Sequence, residues 1–421
     1  MAKNLDSSYS KYALSLVSKI CSEVGPGAPG TPQERARAVI LQQKMESLLG
    51  ANNVSAEEFT VTPGAFLGWL RWAAGFALVS SILNMTVGRC EGIASWITAL
   101  LALTFSLGAV LPGIFEFMLY FEFTEPFFRK RTSQNIIGRL IKPGTKEIKR
   151  VLILGGHHDS ALEMNMLRYL GYGYYVAVAT LFIGFLTLMV CNLLQLIGAL
   201  SGNEGLLQRG TLGWILMVYP VLPSIIFAAL FVGNDKNGGA VPGACDNLSA
   251  SALALAMCKF LVDNPECIPD NTEIRFISFG SEEAGLRGSR KYVERHMEEL
   301  KRLDARLLNF ETVAHPTISI LTSDVNGFVK NSSEMVESVR KAAERAGVPF
   351  NVIPFPFGGG GTDSGSFSRE NLKAVTLLPF KVPQQMVAFY HQRWDRPEVL
   401  SEEPMMNVLK VALEWITARD E

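Results

Sequence analysis

Residues 149–160 read Lys-Arg-Val-Leu-Ile-Leu-Gly-Gly-His-His-Asp-Ser, and this stretch decides the fold class. Residues 151–154 are branched and apolar without alternation, too short a run for a helix, and are bounded by a basic pair and a diglycine. That is the pattern of a strand buried on both faces. Similar runs recur at residues 273–279, 305–310 and 374–380, with helix-period segments at 248–262, 288–303, 333–347 and 403–418. Strands alternating with helices predict an α/β fold, a mostly parallel mixed sheet flanked by helices. Ligands of such sheets gather at the carboxyl ends of the strands, which is where His157, His158 and Asp159 fall.

Two more polar clusters occupy comparable places. Gly243-Ala244-Cys245-Asp246-Asn247-Leu248-Ser249 opens an apolar helix, and Gly280-Ser281-Glu282-Glu283-Ala284-Gly285-Leu286-Arg287-Gly288-Ser289 follows a strand. Imidazole and carboxylate are the ligands of hydrolytic zinc, yet none of the three clusters specifies a metal by itself. In this order, His-x-Asp, Gly-x-x-Asp-Asn-x-Ser and Glu-Glu-x-Gly-Leu-x-Gly-Ser, the chain resembles the two-zinc aminopeptidase and glutamate carboxypeptidase family. That family also contains glutaminyl cyclases and the inactive ectodomain of transferrin receptor. The resemblance covers residues 20–62, 132–165 and 234–421, and Gly25-Pro26-Gly27-Ala28-Pro29-Gly30 looks like the family's N-terminal segment.

The resemblance implies a zinc aminopeptidase-like fold, two Zn2+ ions and a peptide substrate. Carried over by motif, it makes His157 a ligand of one zinc, Asp246 the bridge and Glu283 a ligand of the second. Glu311, in Leu308-Asn309-Phe310-Glu311, becomes the fourth ligand, and His391, in Tyr390-His391-Gln392-Arg393-Trp394-Asp395, the fifth. Asp159 would orient the His157 ring and Glu282 would be the general base. Elementary chemistry is compatible: two cations sharing a carboxylate acidify water, one of two adjacent glutamates is left free to carry a proton, and a carboxylate near a histidine fixes its tautomer. Two departures stand out. Glu311 replaces the aspartate of many members, and Gly361-Thr362-Asp363-Ser364 lacks the histidine of the family's Ser-Asp-His motif. Removal of N-terminal residues is the leading expectation, beside hydrolysis of another amide or a C-terminal residue and a scaffold that has kept the fold without activity. Among the remaining histidines, His158 is expected in packing or behind a ligand rather than orienting substrate, His296 on a solvated helix face, and His315, though close enough to Glu311 to compete, is not expected to be a ligand.

The composition asks for a second solvent. AVILMFWYC residues make up 48% of the 421 residues and charged residues only 19%. Residues 63–88 (interrupted by Arg71), 92–115, 169–203 and 210–231 are each long enough to cross a bilayer, which takes about 20 apolar residues. Taken as two transmembrane helix pairs, they leave every polar segment on one side. Arg71, Arg129, Lys130, Arg131, Arg168 and Lys236 flank the spans on that side, against Arg89 and Arg209 on the other, so the bias places the catalytic domain in the cytoplasm. The first residues lack the pattern of a secretory signal, and six cysteines without a Cys-x-x-Cys pair fit a reducing compartment. The expected organisation is an N-terminal helical segment (1–62) docking on a peptidase domain (125–166 and 234–421) that is interrupted by helix pairs at 63–124 and 167–233. In the first segment Thr31-Pro32-Gln33-Glu34 opens a helix with a capping box, followed by an apolar stripe of Ala36, Val39, Ile40, Met45, Leu48 and Leu49. A net charge of -1 gives no footprint for nucleic acid, so the partners expected are a peptide and a lipid bilayer.

Overall fold

The structure, a computed structural model, describes residues 5–213, 216–233 and 239–418. Two compact units emerge: Met1–Pro63, Arg129–Glu163 and Asp235–Glu421 form one, Gly64–Phe128 and Met164–Asn234 the other.

Among the described residues the first unit has ten strands: β1 (Val54–Val61), β2 (Arg131–Ile141), β3 (Arg150–His157), β4 (Thr272–Phe279), β5 (Arg306–Phe310), β6 (Ile318–Leu321), β7 (Ser323–Asp324), β8 (Val329–Lys330), β9 (Phe350–Ile353) and β10 (Lys373–Leu378). Eight of them form one sheet in the order β1-β2-β4-β3-β5-β10-β6-β9, while β7 and β8 pair separately. The central strands β4, β3, β5 and β10 run parallel, and β2 joins β4 antiparallel. Side chains of β3 alternate between two cores, Leu152 and Leu154 on one face and Val151 and Ile153 on the other. Helices α1 (Ser7–Glu23) and α2 (Pro32–Leu49) pack on the first face with helices Ser249–Asp263, Ser333–Ala346 and Glu402–Ile416. Tyr292, Leu300 and Phe367, from helices Arg287–Arg302 and Asp363–Arg369, cover the other. Burial on both faces explains the unbroken apolar runs of the central strands.

Both breaks in this unit fall where the chain is paired with itself. Val61 of β1 lies opposite Arg131 of β2. At the second break Leu162 bridges Ala240, and Val241 N donates to Ala161 O at 2.9 Å.

The second unit is helical. Ala65–Val87, Ile93–Met118 and Gly173–Ser201 are long and apolar enough to cross a membrane, and by the same measure so is Ala244–Asp263 of the first unit. Burial separates them: 89% of the Ala244–Asp263 window is buried, as a core helix requires, against 28–44% for the other three. The stretch expected to span at 210–231 is not one continuous helix. The helix Glu204–Gly210 ends at the first residue of that stretch, and Met217–Leu230 is a shorter apolar helix broken at Tyr219 (φ −148°), beside Pro220. Residues 214–215 lie outside the described residues. The interior mixes large apolar side chains such as Trp69, Leu181, Phe185 and Leu188 with small and polar ones such as Ala77, Ser80, Ala102 and Thr180, while Ile82, Leu101, Ile183, Leu186 and Val190 are exposed. Large apolar side chains of the unit thus face outward as well as inward. Inside it, Asn84 Nδ2 donates to Asn192 Oδ1 (2.8 Å) and to Gly210 O (3.0 Å), and Leu212 N donates to Asn84 Oδ1 (2.7 Å).

Candidate metal centre

Adjacent strand ends converge here. His157 is the last residue of β3, Glu282 and Glu283 lie in the turn after β4, and Glu311 directly follows β5. Asp246 precedes the helix Ser249–Asp263, and His391 sits after β10 with a left-handed φ of 49°. The helix can approach the end of β3 because residue 156 is glycine; a Cβ there would overlap the Cβ of Ala250.

Two sets of donor atoms share Asp246. In one, His157 Nε2 lies 3.2 Å from Asp246 Oδ1 and 3.7 Å from Glu311 Oε1. In the other, His391 Nε2 lies 2.9 Å from Asp246 Oδ2 and 3.1 Å from Glu283 Oε1. The two oxygens of one carboxylate thus face two different histidines. Glu282 Oε2 is 3.6 Å from His157 Nε2, and His157, Glu282 and Glu283 form a third group within reach of one ion.

Backbone amides hold this geometry in place. Glu282 N and Glu283 N donate to Asp159 Oδ1 and Oδ2, each at 3.0 Å, and Asp159 Oδ1 is 3.4 Å from His157 Nδ1. Opposite, Cys245 N and Asp246 N donate to the two oxygens of Asp395 at 2.7 and 3.0 Å. Burial pushes the Glu311 carboxyl up to about 8, against the pull of His157. Burial works against the charged form of His391, but the carboxylates of Glu283 and Asp246 outweigh it and raise the ring to about 10. Burial, then the carboxylates of Glu283, Glu311 and Asp363, push Glu282 well above the usual range, opposed by His157. Among the groups of this cage carboxylates outnumber imidazoles.

Its donors suit zinc. Imidazole nitrogens and carboxylate oxygens are zinc's usual N/O ligands, and a tetrahedral ion bonded at about 2.0–2.1 Å sets its ligand atoms roughly 3.3–3.4 Å apart. The separations of 2.9–3.7 Å bracket that value. Glu283 Oε1 and Glu311 Oε2 are buried without a hydrogen-bond partner, as oxygens reserved for a cation would be.

Residues 231–416 match Peptidase family M28. That match takes in less than half of the chain. The chain is 32% identical over 164 residues to Aminopeptidase YwaD of Bacillus subtilis, a match covering 38% of the chain and 34% of that relative. It is 37% identical over 86 residues to an aminopeptidase of Pseudomonas aeruginosa, covering 20% of the chain and 15% of the relative. The matched stretch thus spans about a third or less of the curated relatives' length. Among solved structures, the fold is similar to BSAP, a zinc aminopeptidase from Bacillus subtilis, with a TM-score of 0.54 and 17% identity over 97% of this chain and 94% of that one. It is similar also to Fimbriiglobus ruber glutaminyl cyclase, with a TM-score of 0.53 and 13% identity over 100% and 97%. These likenesses bear on the zinc aminopeptidase-like fold; sites rather than folds carry activity.

The other histidines of the chain lie elsewhere. His158 is buried with Nδ1 2.9 Å from Ser278 Oγ, and His315 Nδ1 accepts from Thr317 N at 3.1 Å. His296 is not on a solvated face: Nε2 is 2.8 Å from Glu57 and the ring packs on Tyr292. The buried face of α2 is Glu34, Arg37, Ala38, Leu41 and Met45, whereas Val39 of the expected stripe is exposed. Sequence reasoning thus passed over Glu34 and Arg37, and it gave Asp395 no role. The available signal was spacing, since positions 34, 37, 41 and 45 share one helical face with two apolar residues.

Proposed function

We propose that this chain is a zinc-dependent aminopeptidase of the M28 type carrying two metal ions, held in a bilayer by its helical unit. The observation that supports it most is the division of Asp246 between two donor sets, His157 with Glu311 and Glu283 with His391. One zinc would be held by His157, Asp246 and Glu311, the other by Asp246, Glu283 and His391. Bound there, zinc supplies Lewis acidity, making water acidic enough to attack at neutral pH and drawing electron density from the scissile carbonyl.

The protein's own groups do the rest. Glu282 takes a proton from the attacking water and returns it to the departing amine nitrogen as the C–N bond breaks, leaving a free amino acid and a shortened peptide. Asp159 orients His157 and fixes the Glu282-Glu283 turn, and Asp395 fixes the backbone at Asp246.

The helical unit serves as the anchor. Three helices of bilayer length with exposed apolar side chains support this, and the shorter Met217–Leu230 helix lets the chain return to the side it left. The peptidase domain, gathered from the segments either side of the insertions, would face the cytoplasm, as the distribution of arginine and lysine favours.

The test is Glu282→Gln. Release of amine from unblocked aminoacyl substrates should be chelator-sensitive and should fall about 10²–10⁴-fold in the variant, with zinc content retained. Full activity in the variant removes Glu282 from the base role, and hydrolysis of N-blocked but not free-amine peptides replaces aminopeptidase with another amidohydrolase.

A further inference from the structure

The capping motif of α2 contains a side chain that its local reading does not use up. Glu34 stands where a capping-box glutamate turns back towards the N-cap amide. Its Oε2 does accept locally, from Gly30 N at 2.6 Å. Its Oε1 instead accepts three hydrogens from outside the helix, from Ser133 Oγ at 2.9 Å and from both Ser281 N and Ser281 Oγ at 2.8 Å. Glu34 is buried, and Ser281 is the residue immediately before Glu282.

Ser281 has a φ of 54°, a left-handed conformation that a serine holds only when its surroundings impose it. The next two amides, of Glu282 and Glu283, donate to Asp159. Three successive amides of this turn are therefore held by two carboxylates from distant parts of the chain. A tie of α2 to the sheet for stability alone would not need Glu34, because Arg37 already donates to the carbonyls of Gly25, His158 and Pro242. What Glu34 adds is a grip on the residue that aims Glu282.

We propose that Glu34 is a positioning residue for Glu282: by accepting both donors of Ser281 it fixes the left-handed turn from which the Glu282 side chain reaches the cage. The predicted effect on rate rests on the aminopeptidase reading; the predicted effect on the turn does not. A glutamine at position 34 keeps Oε1 for Ser281 and sets its amide group against Gly30 N–H, so the grip survives, whereas alanine abolishes it.

The experiment uses the full-length, zinc-loaded protein as wild type, Glu34→Ala, Glu34→Gln and Thr31→Ala. The last loses the hydroxyl that accepts Glu34 N and so weakens the start of the same helix without touching Ser281. Hydrogen exchange of residues 280–286 in Glu34→Ala should accelerate about tenfold or more while β4 stays protected. Its kcat should fall about 10- to 100-fold with KM within about twofold and zinc content unchanged. Glu34→Gln should recover most of the lost kcat, and Thr31→Ala should leave both exchange and kcat as in the wild type. If Glu34→Ala does not fold, Glu34→Asp, one methylene short of Ser281, replaces it with the same expectation. Unchanged exchange across 280–286, or a Glu34→Gln as slow as Glu34→Ala, overturns the proposal. A wild type that releases no amine from any aminoacyl substrate sinks the aminopeptidase reading, while the exchange measurement still decides the role of Glu34.

Discussion

Replacing Asp159 by asparagine is the sharpest probe of the cage, because the substitution keeps the shape and changes one atom. The carboxylate accepts from two backbone amides, Glu282 N and Glu283 N, both at 3.0 Å, and Oδ1 also lies 3.4 Å from His157 Nδ1. Asparagine has a single acceptor oxygen; its NH2 must face either the Glu283 amide or the side shared by Glu282 N and His157. In either orientation a donor meets a donor and one charge-assisted hydrogen bond is lost, at about 1.5–3 kcal/mol. With the NH2 towards Glu283, the turn bearing that ligand loosens; with the NH2 towards His157, the ring loses the acceptor that orients it. At about 1.4 kcal/mol per decade, the loss corresponds to roughly 10- to 150-fold weaker zinc binding. Outer partners of metal ligands typically contribute 10–100-fold, a similar range. The assay is zinc titration against a competing chelator, with kcat measured separately at saturating zinc. Zinc affinity within about twofold of the wild type would refute the reasoning, since such a change leaves no room for a lost charged hydrogen bond.

Arg37→Met removes a buried guanidinium and leaves the carbonyls of Gly25, His158 and Pro242 without their donor. Denaturant unfolding should show a loss of about 3–5 kcal/mol, and a loss below about 1 kcal/mol would disprove the clamp. At Glu57 burial raises the carboxyl, but the hydrogen bond to His296 and the charges of His296 and Arg295 outweigh it, so its pKa lies below the ordinary 4.5. A folded-state value depressed in this way stabilises the protein above pH 4.5, and the contribution fades as the pH falls through the lower folded value. Glu57→Gln should therefore lower stability at neutral pH and flatten its acid limb in pH-dependent unfolding; an acid limb identical to the wild type contradicts the pairing. In the helical unit Asn84→Leu breaks three hydrogen bonds, to Asn192, Gly210 and Leu212. At about 0.6 kcal/mol each, unfolding in micelles should show a loss near 2 kcal/mol, and a variant as stable as the wild type would mean that the network adds nothing.

The central strands are legible because they are buried on both faces, so residues 151–154 carry no polar interruption. β2 is not legible in the same way. It carries Ser133, Gln134 and Asn135 into the interior, where Ser133 Oγ donates to Glu34 and Asn135 donates to Gly288 O and accepts from Gly280 N. Composition says loop there, and long-range partners make it strand. The stripe of α2 shifts for the same reason, since Glu34 and Arg37 occupy the buried face with hydrogen bonds that only the folded chain supplies. Apolar length misleads in the opposite direction at Ala244–Asp263, which has the composition of a span and the burial of a core helix. The candidate ligands are readable one at a time, as acids and imidazoles at strand ends. That Asp246 turns one oxygen towards His157 and the other towards His391 is a tertiary fact no spacing carries.

The sheet presents candidate ligands at the ends of three adjacent strands, and the two long insertions break the chain where they disturb that sheet least. Closing a loop costs entropy that grows only with the logarithm of its length, so the decisive quantity is how firmly its two stems are already held together. At the first break the stems are the paired ends of β1 and β2, with Val61 opposite Arg131. At the second they are the bridge of Leu162 with Ala240, reinforced by Val241 N to Ala161 O and by Glu163 N to Gly239 O. Each insertion therefore hangs from a hydrogen-bonded gate that would serve a short turn equally well. The strands that carry His157, Glu282, Glu283 and Glu311 lie inside those gates, and their register is set by one another: His157 opposite Phe279 between β3 and β4, Gly155 opposite Asn309 between β3 and β5. That register is the physical reason the candidate cage can be assembled from segments separated by long apolar helices.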